Sequence, residues 1–110
     1  MKALYCIPNL NQISSYLDFS EKYNAGFEYN DFFLPGVLDD EERISQIIAS
    51  YSSLNRDCSE DTLHGAFLDI CVHSCDPLIF KASDWRIHQS MNIAARLGVK
   101  NVIFHTNHIP

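Results

Sequence analysis

The chain has 110 residues, 46 % of them hydrophobic and 20 % charged, with a formal net charge of −6. That length suits one domain over residues 1–110, and the composition belongs to a globular core rather than to a disordered segment. The acidic balance argues against a dedicated nucleic-acid surface, which needs clustered Lys and Arg to neutralise phosphates.

In chain order, short β-like runs alternate with longer helical ones. The first run is Ala3 to Ile7, closed by Pro8. A helical stretch follows, with Asn11 as its expected cap and Leu10, Ile13 and Leu17 on an apolar face; Asn24 and Gly26 are its stop residues. The second run is Ala25 to Tyr29. Glu28 and Asn30 share strand parity there, opposite Phe27 and Tyr29.

A loop with Pro35-Gly36 leads to the clearest helix. Asp39 is expected to cap it, with Glu42 reaching back as in a capping box. Ile44, Ile47, Ile48, Tyr51 and Leu54 line one face, and Asp40 to Glu42 favour the N-terminal end electrostatically. A polar turn, Asn55 to Asp61, precedes the third run, Thr62 to Phe67. Leu68 to Ser83 reads as a long loop. The next helix is expected from about Asp84, packing Ile87, Met91, Ala94 and Leu97 and stopping at Gly98. The fourth run is Asn101 to His105.

Strand and helix in alternation predict an α/β fold with a parallel sheet and helical crossovers. Runs starting at Ala3, Ala25, Thr62 and Asn101 bracket the ~31 residues per unit of an eight-unit barrel of about 250 residues. Four such units make a parallel-stranded (β/α) half barrel, the first half of a TIM barrel. A flavodoxin-type doubly wound domain competes, but it usually has a fifth strand and a last covering helix.

No apolar run approaches the ~18 residues of a membrane span. The stretch after Lys2 is broken by Pro8 and Asn9, unlike a secretory signal. Cys6, Cys58, Cys71 and Cys75 are scattered and read as reduced thiols. A cytoplasmic protein with no membrane partner is expected.

Chemistry in such folds sits at the carboxyl ends of the strands. Glu28, Asn30, His64 and His105 lie in or just after strands, and together read as a polar cluster at a barrel mouth. Imidazoles with a carboxylate suit zinc, iron, manganese or cobalt. Gly65 beside His64 allows close approach of a ligand or another backbone. Asp69 is expected to follow on the same face. Cys71-x-His73-x-Cys75 has a spacing that fits no common zinc motif. The chain shows neither a glycine-rich phosphate loop nor a Gly-x-Ser-x-Gly elbow.

These residues carry a family likeness. The segments His64-Gly65-Ala66-Phe67-Leu68-Asp69-Ile70, His73-Ser74-x-Asp76-Pro77 and Ala94 to His105 resemble the xylose isomerase-like TIM-barrel superfamily. Gly26 to Asn30 looks like that family's second strand. The superfamily joins sugar-phosphate isomerases and epimerases with endonuclease IV-like abasic-site nucleases.

The resemblance implies a divalent metal (Zn, Mn, Mg or Co) at the top of the barrel. In the nuclease branch, histidines matching His64 and His105 are ligands. In the sugar branch, the principal ligands come from later strands, beyond the span of this chain. The expectation is the N-terminal half of a metal-dependent sugar or sugar-phosphate isomerase or epimerase, truncated and inactive by itself. His64 and His105 would be metal ligands, Glu28 and Asp69 catalytic carboxylates, and Asn30 a substrate contact. The alternatives are an abasic-site phosphodiesterase and a non-catalytic half barrel that pairs with another copy through its open sheet edges.

Overall fold

The computed structural model describes residues 1–105. Its elements are β1 (Tyr5–Cys6), a 3-10 turn (Leu10–Gln12), α1 (Ile13–Tyr23), β2 (Gly26–Tyr29), α2 (Pro35–Leu38), α3 (Glu41–Ser52), β3 (Thr62–His64), α4 (Pro77–Leu97) and β4 (Asn101–Ile103). All strand pairs are parallel, in the spatial order β1-β2-β3-β4. Each strand therefore lies beside the next one in sequence. A doubly wound sheet reverses that order at a switch point, and no reversal occurs among these four strands.

Period-two alternation decides the two faces of the sheet. Phe27, Tyr29 and Leu63 point to one face and are buried in a core with Ile44, Ile47 and Tyr51 of α3 and Ile93, Ala94 and Leu97 of α4. Cys6, Val102 and the α1 residues Ile13, Tyr16 and Leu17 pack against the same core. The helices thus cover one face. The molecule is only 20 Å across its thinnest direction, the depth of one sheet and one helix layer. The opposite face carries Glu28, Thr62 and Asn101 in one row, by the strand register. The next row holds Asn30, His64 and Ile103. Ile7 and Ile103 on this side are 52 % and 40 % exposed.

Local chemistry explains most element ends. Asn9, rather than Asn11, caps the 3-10 turn, its side chain accepting from the Asn11 N–H at 2.9 Å. Asn24 ends α1 in the left-handed region at φ 52°. Asp40, one residue later than expected, caps α3 by accepting from Arg43 N–H at 3.1 Å. Gly98 ends α4 at φ 80°, where a Cβ would be strained.

Other boundaries moved. α4 starts at Pro77, with Asp76 as cap, and not near Asp84, so the expected long loop shortens to residues 65–76. Proline at the first helical position suits that start, because its missing N–H has no partner to lose. A short helix, Pro35–Leu38, fills the stretch read as a loop. Arg86 of α4 forms two hydrogen bonds to the Asp39 carboxylate at its end, and Gln89 donates to Leu38 O at 3.0 Å. No described helix is long and apolar enough to cross a membrane.

One buried carboxylate ties the sheet together. Asp61, 1 % exposed, precedes β3. It accepts from Phe27 N–H and from the Tyr29 hydroxyl, both at 2.8 Å, and pairs with Arg56. The Arg56 guanidinium also lies 3.8 Å over the Phe27 ring. Burial works against the Arg56 charge, but the hydrogen bond and charge of Asp61 outweigh it and raise its pKa. Burial, and then Asp61, push the Tyr29 hydroxyl far above its ordinary range, so it stays a donor.

Two outcomes are expected. Asp61→Ala strands Arg56 and two further donors, and should cost about 3–5 kcal/mol in equilibrium urea unfolding. Glu60→Gln, at an exposed ion pair, should stay within about 1 kcal/mol. Second, among the described residues the outer edges of β1 and β4 have no strand partner. Unpaired edges template pairing with another chain, so sedimentation should show association that grows with concentration. A monomer at every concentration would remove this pairing.

Candidate functional site

His64 is the last residue of β3, and His105 lies two residues past the end of β4. Parallel pairing of β3 with β4 brings both to the carboxyl edge of the sheet. Their Nε2 atoms are 2.9 Å apart. The rings meet edge to face, centroids 4.8 Å apart at 82°.

The other nitrogen of His64 settles its tautomer. His64 Nδ1 lies 3.0 Å from the Gly65 carbonyl oxygen. A carbonyl only accepts, so Nδ1 carries the proton and Nε2 presents its lone pair. His105 Nε2–H then donates to His64 Nε2. Metal-ligating histidines use the same tautomer, with one ring nitrogen donating to a carbonyl and the other ligating; here that lone pair accepts from His105.

Phe67 touches both imidazoles. It is edge-on to His64 at 4.9 Å and stacked on His105 at 4.6 Å. Phe33, from the segment between β2 and α2, stacks on the far side of Phe67 at 5.0 Å. The sequence pointed to the histidines and passed over both phenylalanines. Their signal is weak: an aromatic three residues past a strand-end histidine reads as core. Gly65 permits close approach as expected, but its neighbour is a side chain. A Cβ there would overlap the Phe104 ring.

The remaining candidates separate. Glu28 and Asn30 lie on the face without helices, in the rows of Thr62 and His64. Asn30 Oδ1 and Thr62 Oγ1 are buried and have no hydrogen-bond partner. Asp69 stands elsewhere. It adopts φ 58° and lines a cavity of about 280 Å³ with Pro35, Leu68, Ile79 and Arg86, without either imidazole.

Among the described residues no group of three or more His, Cys, Asp or Glu side chains could hold a metal. Neither Glu28 nor Asp69 therefore joins the pair as a third donor. The Cys71-x-His73-x-Cys75 stretch brings Cys71 Sγ to 3.8 Å from His73 Nε2 without forming such a group. The four cysteines are free thiols.

The donor set fits a divalent ion in type. Two imidazole nitrogens at about 2.0–2.1 Å from a tetrahedral ion stand roughly 3.3 Å apart. A change of about half an ångström, with the His105 proton moved from Nε2 to Nδ1, would therefore open the hydrogen-bonded pair to that spacing. Nitrogen NMR should find His64 protonated at Nδ1 and His105 at Nε2. A His64 ring protonated only at Nε2 would contradict the contact with Gly65.

No family model matches the chain, and no curated protein matches it. Among solved structures it is similar to the TTHB071 protein of Thermus thermophilus, from a crystal soaked with ZnCl2. The TM-score is 0.62 at 21 % identity, with 97 % of this chain aligned. The chain spans 39 % of that protein's length. At this identity the likeness bears on the fold alone.

Proposed function

We propose that this chain forms half of a (β/α) barrel, binds a divalent metal through His64 and His105, and serves a sugar or sugar-phosphate isomerase or epimerase. The observation that carries the reading is the convergence of the two imidazoles, with the His64 lone pair held outward by the Gly65 carbonyl. The sequential strand order and the one-sided helix layer support the half barrel. In a closed barrel the face without helices becomes the interior, and the carboxyl-end loops become the mouth.

The same loops favour a small polar substrate. Residues 30–34 and 65–76 contain no Lys or Arg and do contain Asp31, Asp69 and Asp76. A surface that grips a nucleic-acid backbone needs the reverse. Burial, the larger influence, raises the Asp31 pKa against the opposing hydrogen bond from Tyr51.

In this reading His64 and His105 hold and orient the ion. Asn30, in the row of His64, is the candidate substrate contact, its buried and unsatisfied oxygen becoming available only once its side chain turns outward, and Glu28 is the candidate for moving a proton between neighbouring carbons. The ion's own contribution is Lewis-acid polarisation of the substrate's carbonyl and adjacent hydroxyl. Asp69 would contribute only if its loop rearranged, since it lines a different cavity.

A second reading has one observation in its favour. Histidines matching His64 and His105 are ligands in the nuclease branch that the sequence resembles, and here the two meet. An abasic-site phosphodiesterase is therefore the alternative.

Titration of the chain with Zn²⁺ or Co²⁺ is expected to show binding. His64→Ala and His105→Ala should each weaken it by more than the roughly 10–100-fold that an outer-shell loss costs. Binding that survives both substitutions sinks the metal reading. Assays on aldose and ketose phosphates beside abasic duplex DNA separate the reactions. Duplex cleavage would move the assignment to the nuclease.

A further inference from the structure

We propose that Phe67 is the positioning residue of the His64–His105 pair, its ring acting as the wedge that aims the two Nε2 atoms at each other. The inference rests on the reading of that pair as a ligand site and names the residue that sets its geometry.

The three rings form a closed triangle. The centroid distances are 4.9 Å from Phe67 to His64, 4.6 Å from Phe67 to His105, and 4.8 Å between the imidazoles. Each contact has a favourable aromatic geometry, edge-to-face at 80° and 82° and near-parallel at 25°. A triangle of mutual contacts fixes all three rings, whereas a single pair leaves each free to turn about its own χ angles.

His105 needs such a constraint. It is exposed and lies beyond the last paired residue of β4. One hydrogen bond from an exposed side chain is largely offset by the rotamer freedom it removes. Stacking on Phe67 restricts the same ring from a second direction. His64 is less dependent, because its Nδ1–H is already held by Gly65 O.

Phe67 is held in its turn. Phe33 stacks behind it at 18°, two residues before Pro35 opens α2. The end of α2 is fastened to α4 by the Arg86–Asp39 bonds and by Gln89. A chain of packed contacts thus runs from α4 through α2 and Phe33 to the imidazoles. Phe67 itself offers no lone pair and ligates nothing, so its effect on a bound ion is exerted through the histidines.

The test uses the 110-residue chain labelled with ¹⁵N, at a pH above the imidazole range. Coupling between the two Nε2 nuclei across their hydrogen bond reports the pairing without any metal. Co²⁺ titration reports ligation. Phe67→Tyr keeps the ring and should retain both the coupling and the Co²⁺ affinity. Phe67→Leu keeps apolar bulk without the ring. It should lose the coupling and bind Co²⁺ about 10–100-fold more weakly, the cost typical of an outer-shell residue.

Phe33→Leu, which removes only the backing ring, should weaken both readouts less and covers the case in which Phe67→Leu fails to fold. Coupling that persists unchanged in both Leu variants overturns the inference, as does its absence from the unsubstituted chain. If the coupling follows the expected pattern but the unsubstituted chain takes up no Co²⁺, the metal reading falls and the positioning role stands.

Discussion

Asp61 is the constraint on which the arrangement depends. It lies at the amino end of β3, almost wholly shielded from water. There it accepts from the backbone of β2, from the Tyr29 hydroxyl and from Arg56. A carboxylate taken out of water at that depth is tolerated only when its oxygens are satisfied from several sides. Once they are, the pairing of β2 with β3 is held to one register, because a slip would remove both donors that β2 supplies. That register sets Glu28 beside Thr62 and places Asn30 in the row of His64. The polar face at the carboxyl end is thereby aligned from the opposite end of the sheet.

The two ends divide the labour usual in parallel α/β folds. The amino end holds a saturated network, Arg56–Asp61–Tyr29, with Arg56 lying over Phe27. The carboxyl end holds groups with spare capacity. Asn30 Oδ1 is buried there with no partner, and the His64 Nε2 lone pair is engaged only by the neighbouring imidazole. Saturated polar networks rigidify a fold, while unsatisfied groups carry a cost that function has to justify. The face without helices adds a second sign of unused capacity. Ile7 and Ile103 face water there, opposite a face where Phe27 and Leu63 have no exposure at all.

The likeness to the TTHB071 protein covers nearly the whole chain but only 39 % of the other protein. It supports a shared parallel α/β framework. The functional reading instead stands on the two histidines, the tautomer imposed by Gly65 O, and the lack of Lys and Arg in residues 30–34 and 65–76.

Much of the framework was legible in the residues alone, because it depends on local periodicity. Alternation in Gly26–Tyr29 marked a strand with one buried face, the Ile44/Ile47/Tyr51 spacing marked the face of α3, and Gly98 marked the end of α4. These signals need only neighbours in sequence. Boundaries set by contacts distant in sequence were not legible. The α2 turn is fastened by Arg86 and Gln89 from α4, and α4 begins about two turns before its clearest apolar spacing. In the same way, residue type and strand-end position singled out His64 and His105. Their 2.9 Å contact, the Phe67 ring packed against both, and the removal of Asp69 to a separate cavity were decided by the pairing of β3 with β4 and by the path of the following loop. Local pattern determines which residues face a given side, but only tertiary packing determines which of them touch.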